Sequence, residues 1–297
     1  MKRIRRCAAG WVFWGWVLLG GGGAWGQAGG RAVVYPVPTT GEASRFQVPQ
    51  VRLADAAVAR RINRALLRGL LGGWAAVDTN ASPRRQLYQA ARECCYDADT
   101  RTWAAAGGGL TGSEYQVLLN RGGLLSLSLT SQTTGAHHEY AAAYFTFDLR
   151  TGRRLTLADA VADPLAQLDR RMDGAINRRF GEAMATAKAA QADSATLDYM
   201  AERFDWDWQT NRVRVAATPY LPAPVSRQLP REFALTPTAL LLFHSAEFHR
   251  LRSDFEPDNT YRFPYARLHP RPLLRALLPA AVPAKAGTLA KKPAAAK

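Results

Sequence analysis

Three things are in short supply in this 297-residue chain: cysteine, with three residues; lysine, with six against 33 arginines; and long apolar runs. No apolar run of about 18 residues occurs after residue 30, so a mature chain lacking the N-terminus is not expected to span a membrane. No GxxxxGKS/T, HExxH or GxSxG stretch is present, which removes the sequence signatures of P-loops, zinc peptidases and nucleophile elbows. Disorder throughout and fibrous structure are excluded by what is there, since 47% of residues are hydrophobic and 21% charged.

The formal net charge of +15 is unevenly placed. Four cations fall in the first six residues and four in the last thirteen, leaving residues 27 to 284 with 31 cations against 24 carboxylates, or +7. That spread singles out no partner, and nucleic acid is not expected to be one.

The N-terminus reads as an address. Met1 to Arg6 is basic and Cys7 to Leu19 apolar, and the small residues Ala24 and Gly26 suit cleavage before Gln27. Residues 1–26 are therefore expected to be a secretory signal peptide, and the protein periplasmic or secreted. An uncleaved anchor is the rival, disfavoured by four consecutive glycines at 20 to 23. After cleavage only the adjacent Cys94 and Cys95 remain. They allow a strained vicinal bridge, an intermolecular bridge or buried free thiols, of which packing as a thiol is the expectation.

Residues 32 to 52 read as short strands and turns. Asp55 caps a helix with Val58, Ile62, Leu66 and Leu70 on one stripe and Arg60, Arg64 and Arg68 on another, a solvated face in an arginine-rich chain. Ser82 and Pro83 open a second helix through Cys95. Residues 114–120 and 124–130 flank Asn120-Arg121-Gly122-Gly123 as a β-hairpin, and a third strand covers 139–148. Asp163 is expected to cap a helix with Leu165, Leu168, Met172, Ile176 and Phe180 on one face, continuing through 182–203. Strands return at 204–208, 212–217, 232–235 and 239–244. The fold class is α+β, a mostly antiparallel sheet with several packed helices. The tail from Ala280, rich in Ala, Pro and Lys, is expected to be disordered.

Gly135-Ala136-His137, then Tyr144 to Asp148 with Thr151-Gly152, then Leu155-Thr156-Leu157 and Asp159 resemble the core of the extracellular domain of RsiV-type proteins. The preceding hairpin, Phe233 to Leu240 and Phe263-Pro264-Tyr265 match in kind and order. The resemblance covers about 110 to 270, and residues 35–36 with 58–67 look like the small module that usually precedes that domain. Together with the N-terminal address and the Ala/Pro/Lys tail it gives this expected organisation: signal peptide 1–26, small α+β module 27–110, RsiV-like α+β domain 111–275 and disordered tail 276–297. The family's domain is the outer part of lysozyme-sensing anti-sigma factors and an accessory of peptidoglycan deacetylases. With six residues before the apolar stretch and an Ala/Pro/Lys tail at the other end, neither a sigma-binding segment nor a deacetylase domain is expected in this chain. Cationic lysozymes would meet a receptor of charge +11 (35 against 24) with repulsion. What carries over is a fold and an envelope-binding role, with no catalytic residues.

Gly107-x-Gly109-x-x-Gly112 matches the dinucleotide fingerprint as text, but a strand follows it where a helix is needed, so it reads as a flexible connection. His137 and His138 are adjacent and His244 and His249 five apart, so each pair splits between opposite faces of a strand, and neither a metal nor a cofactor is expected. In the run FDWDW, alternation places Phe204, Trp206 and Trp208 on one face, as a sugar platform or as core, and Asp205 and Asp207 on the other. The candidate ligand contacts are Phe204, Trp206, Trp208, His137 and His138, with no catalytic residue assigned. The expectation is a non-enzymatic binding protein of the cell envelope whose ligand is an envelope polymer or envelope protein. The alternatives are an enzyme acting on wall glycans and a basic polyanion-binding protein using the Lys tail.

Overall fold

The computed structural model describes residues 30–72, 78–103, 109–135, 138–213, 232–246, 248, 254–275 and 277–278. The N-terminal leader, Gly107, His137, His249 and the tail from Ala280 lie outside these residues. The fold is α+β, and every strand ladder among the described residues is antiparallel. The sheet is divided: two three-stranded sheets and three two-stranded ribbons replace a single layer.

Strand β1 (Val33–Pro36) pairs with β2 (Pro49–Arg52). Helix α1 (Ala56–Leu71) starts where the Asp55 carboxylate accepts the Ala57 and Val58 N–H groups at 2.8 and 3.1 Å. Its stripe of Val58, Ile62, Leu66 and Leu70 is buried, and Arg60, Arg64 and Arg68 face solvent. Helix α2 (Pro83–Cys95) begins at Ser82, whose hydroxyl accepts the Arg85 N–H at 3.3 Å, with proline in the first turn where its missing N–H costs nothing. Ser82→Ala should cost about 1 kcal/mol, read as a shift in the urea midpoint at unchanged slope.

Cys94 and Cys95 are joined by a disulfide, which corrects the expectation of free thiols. Both residues are buried in the core that α2 shares with α1, so burial and a vicinal bond coexist. Strands β3 (Tyr96–Asp97) and β4 (Thr102–Trp103) follow as a short ribbon.

The centre of the molecule is the meander β5 (Gly109–Arg121), β6 (Leu124–Thr134) and β7 (His138–Asp148). Gly109 and Gly112 lie inside β5 and not in a loop. Gly122 and Gly123 turn the hairpin at φ of +62° and +76°, where a side chain is strained. Strand alternation then splits β6 between two cores. Leu125, Leu127 and Leu129, with Phe145 and Phe147 of β7, meet α1 and α2 in a first core drawn from both sides of residue 110. Leu124 turns to the opposite face, as does Ser126. The Ser126 hydroxyl is fully buried because it is used twice, accepting the Leu235 N–H at 2.9 Å and pairing with the Thr146 hydroxyl at 3.0 Å.

Past β7, Thr156 and Asp159 form a capping box around the single turn α3 (Leu157–Ala160). Both guanidinium nitrogens of Arg153 grip Asp159 at 2.8 and 2.9 Å. That pairing holds the Asp159 carboxyl well below its usual range. Helix α4 (Leu165–Ala189) buries Leu168, Met172, Ile176 and Phe180 as expected, whereas Leu165 in its first turn is exposed. Pro164 and not Asp163 occupies the cap position, because the Asp163 side chain is engaged elsewhere, as described below. The expected continuation through 203 is interrupted: Gln191 takes a left-handed φ of +57°, and Asp193 caps a separate helix, α5 (Ser194–Phe204).

The ribbon of β8 (Trp206–Asp207) and β9 (Arg212–Val213) packs beside α4, where Asn177 accepts the Val213 N–H at 2.8 Å. Strands β10 (Phe233–Leu235), β11 (Ala239–Phe243) and β12 (Thr260–Pro264) form the second three-stranded sheet, and the short α6 (Pro272–Arg275) comes after it. These elements close the second core over α4 and α5. No helix among the described residues is long and apolar enough to cross a membrane.

Candidate anion-binding groove

The aromatic row expected at 204 to 208 does not form. Phe204 is the last residue of α5, and Asp205 at φ +51° is its left-handed cap, so the chain reverses in the middle of the alternating pattern. Phe204 and Trp206 are buried, and Phe204 stacks on Phe180 at 4.0 Å between ring centroids. Trp208 alone reaches solvent, 39% exposed, with the Lys188 ammonium 4.6 Å above its ring. The two aspartates have separate structural roles. Asp207 accepts the Gln209 N–H and the Thr210 hydroxyl at 2.8 and 3.0 Å, shaping the turn, while Asp205 ends a helix.

The described histidines, His138, His244 and His269, are dispersed. His138 is exposed at the start of β7 with a ring nitrogen 2.8 Å from the Thr134 hydroxyl, and His244 lies 5.9 Å from the Phe180 ring. Among the described residues no three His, Cys, Asp or Glu side chains converge as a metal site would require. A small cavity of about 260 Å³ beside His244 is lined by charges of both signs, among them Glu202, Arg203 and Asp205.

The larger feature is a groove of about 700 Å³ between α4 and β12. Arg171, Gly174, Arg178 and Glu182 recur at helical spacing and share one face of α4. Arg262 and Arg267 come from the opposite wall. Five arginines, Arg179 included, thus meet a single lining carboxylate, Glu182.

Three of these arginines are fixed by the fold. Arg179 lies 4.1 Å above the buried Tyr261 ring and donates to the carbonyls of Thr260, at 2.8 Å, and Asp258. Arg262 donates to the Thr238 hydroxyl at 2.8 Å. Arg171 donates to the Arg267 carbonyl at 2.8 Å and to Asp163 at 3.3 Å. Arg178 and Arg267 have exposed side chains with no ion pair among the described residues, leaving two guanidinium forks for a ligand.

Asp163 anchors this wall from below. Its fully buried carboxylate accepts the His269 N–H at 2.6 Å, the His269 ring at 3.1 Å and Arg171. Burial alone pushes its pKa up, but the His269 donors and the Arg171 charge together outweigh burial and hold it below the usual value.

The sequence does not mark the groove, because arginine is frequent throughout the chain and its most regular stripe lies on α1. The available signal was local: two arginines seven apart in α4 with Gly174 and Ala175 between them, on the side opposite the apolar stripe. The second wall lies some 80 to 96 residues further along the chain, and only the fold brings it near.

No family model matches the chain, and no curated protein is significantly similar to it. Two solved structures of DUF3298 family members resemble it. One from Bacteroides fragilis has 15% identity and a TM-score of 0.46, over 83% of this chain and 94% of that one. The other, from Pseudomonas aeruginosa, has 16% identity and a TM-score of 0.42, over 85% of this chain and 96% of that one.

Proposed function

We propose that this protein is a secreted or periplasmic, non-enzymatic binding protein of the cell envelope, and that its arginine groove holds an anionic envelope polymer. The observation that carries the reading is the excess of five arginines over one carboxylate in one groove, with Arg178 and Arg267 unclaimed by any carboxylate among the described residues. Guanidinium forks match phosphate and carboxylate geometry bidentately. The address read at residues 1–26 and the RsiV-type resemblance of 111–275 support the envelope setting. Electrostatic attraction therefore has a defined seat in the folded body, apart from the Lys tail.

The test uses the full mature chain against immobilised polyphosphate, polygalacturonate and uncharged dextran. Dextran should be left unbound. Arg178→Ala with Arg267→Ala should weaken polyphosphate and polygalacturonate binding about tenfold or more, as loss of charge-assisted hydrogen bonds implies. Replacing Arg60, Arg64 and Arg68 together should change it less than about twofold, since an exposed stripe on another helix contributes only screened attraction. Equal losses from both sets of variants would sink the groove as the site.

A further inference from the structure

We infer that the groove also seats a sugar ring, so that the polymer is an acidic glycan and not a bare polyanion; this rests on the anion-binding reading above. The decisive residue is Gly174. It sits within the 25-residue α4, where glycine is disfavoured by about 1 kcal/mol relative to alanine. No contact among the described residues accounts for it, since a Cβ built there meets no atom within 4 Å and its φ is not in the left-handed region. The space that a side chain would take opens into the groove instead.

Apolar residues from both walls line the groove among its arginines: Ala175, beside Gly174 on the helix, and Phe263 and Pro264 from β12. The volume of about 700 Å³ falls within the roughly 300 to 1,000 Å³ of pockets that enclose small organic ligands, far more than a lone phosphate fills. The apolar lining residues gain nothing from a polyphosphate chain, which carries no apolar face. A pyranose does carry C–H faces, and an attached phosphate or carboxylate reaches Arg178 or Arg267 from the same seat.

The experiment compares phosphorylated dextran, polygalacturonate and inorganic polyphosphate by calorimetry on the wild type, Gly174→Ala, Gly174→Leu and the Arg178→Ala/Arg267→Ala variant. The wild type should bind both acidic glycans about fivefold or more tighter than polyphosphate at equal charge. Gly174→Leu should remove about tenfold of the glycan affinity while changing polyphosphate by less than about twofold, as an occluded apolar contact predicts. Gly174→Ala should show a smaller loss, and neither glycine variant should lower the melting temperature. If Gly174→Leu melts normally and binds glycans like the wild type, or weakens all three probes equally, the sugar seat is wrong while the anion site stands. If the double arginine variant binds all probes unchanged, the anion site itself is wrong.

Discussion

Trp206→Ala is expected to lower the free energy of unfolding by about 3 to 5 kcal/mol, and Trp208→Ala by less than about 1 kcal/mol, although the two residues stand two apart in the same aromatic run. Trp206 is 5% exposed and Trp208 39%. The Trp206 ring lies against α4 so closely that a Cβ on Gly181 would sit 3.4 Å from it, and the residue belongs to the second core with Phe180 and Phe204. Its removal therefore leaves a cavity that a helix and a ribbon cannot collapse to fill. Trp206→Phe should be milder, because the indole N–H makes no hydrogen bond among the described residues and nothing polar is orphaned. Urea denaturation of the three variants checks this. Equal destabilisation by Trp206→Ala and Trp208→Ala would contradict the division between core and surface.

The second large effect is at Asp163, where substitution by alanine should cost about 3 to 5 kcal/mol, the usual consequence of removing one partner from a buried charged cluster. The His269 N–H, the His269 ring and Arg171 would lose their shared acceptor, and the start of α4 would lose its tie to the segment after β12. The pH dependence follows from the direction of the shift. Because the folded carboxyl titrates below its unfolded value of about 3.9, its stabilisation is complete above that value and is lost as pH falls through the folded pKa. The variant should accordingly show a flatter loss of stability than the wild type between about pH 4 and pH 2. Denaturation curves at pH 7 and at steps through this acid range measure both points, and parallel profiles for the two proteins would count against the buried cluster.

Local chemistry was legible in the sequence, and long-range assembly was not. Asp55 and Ser82 announce α1 and α2 because their side chains cap the very next turn, and Gly122-Gly123 announces the hairpin because only glycine tolerates those backbone angles cheaply. The alternation from Phe204 to Trp208 misleads for a definite reason. A helix that ends on a buried residue, followed by a left-handed Asp205 and a two-residue strand, yields the same period-two pattern as a continuous strand. The break at Gln191 is similarly silent, since nothing in a helical pattern marks a non-glycine residue that adopts positive φ. Adjacent cysteines permitted several pairings, and chain proximity alone did not choose among them. The groove was least legible of all, as its arginines acquire a common direction only when α4 and β12 are laid side by side.

The most direct test is an NMR titration of arginine-labelled protein with polygalacturonate, following the side-chain Nε–H resonances. Arg178 and Arg267 should shift first and most, with smaller changes at Arg171, Arg179 and Arg262, and Arg60, Arg64 and Arg68 should stay still at moderate salt. Shifts centred on the α1 arginines with the groove arginines unchanged, or no shift at any arginine when binding is saturated, would contradict the assignment of the groove as the binding site.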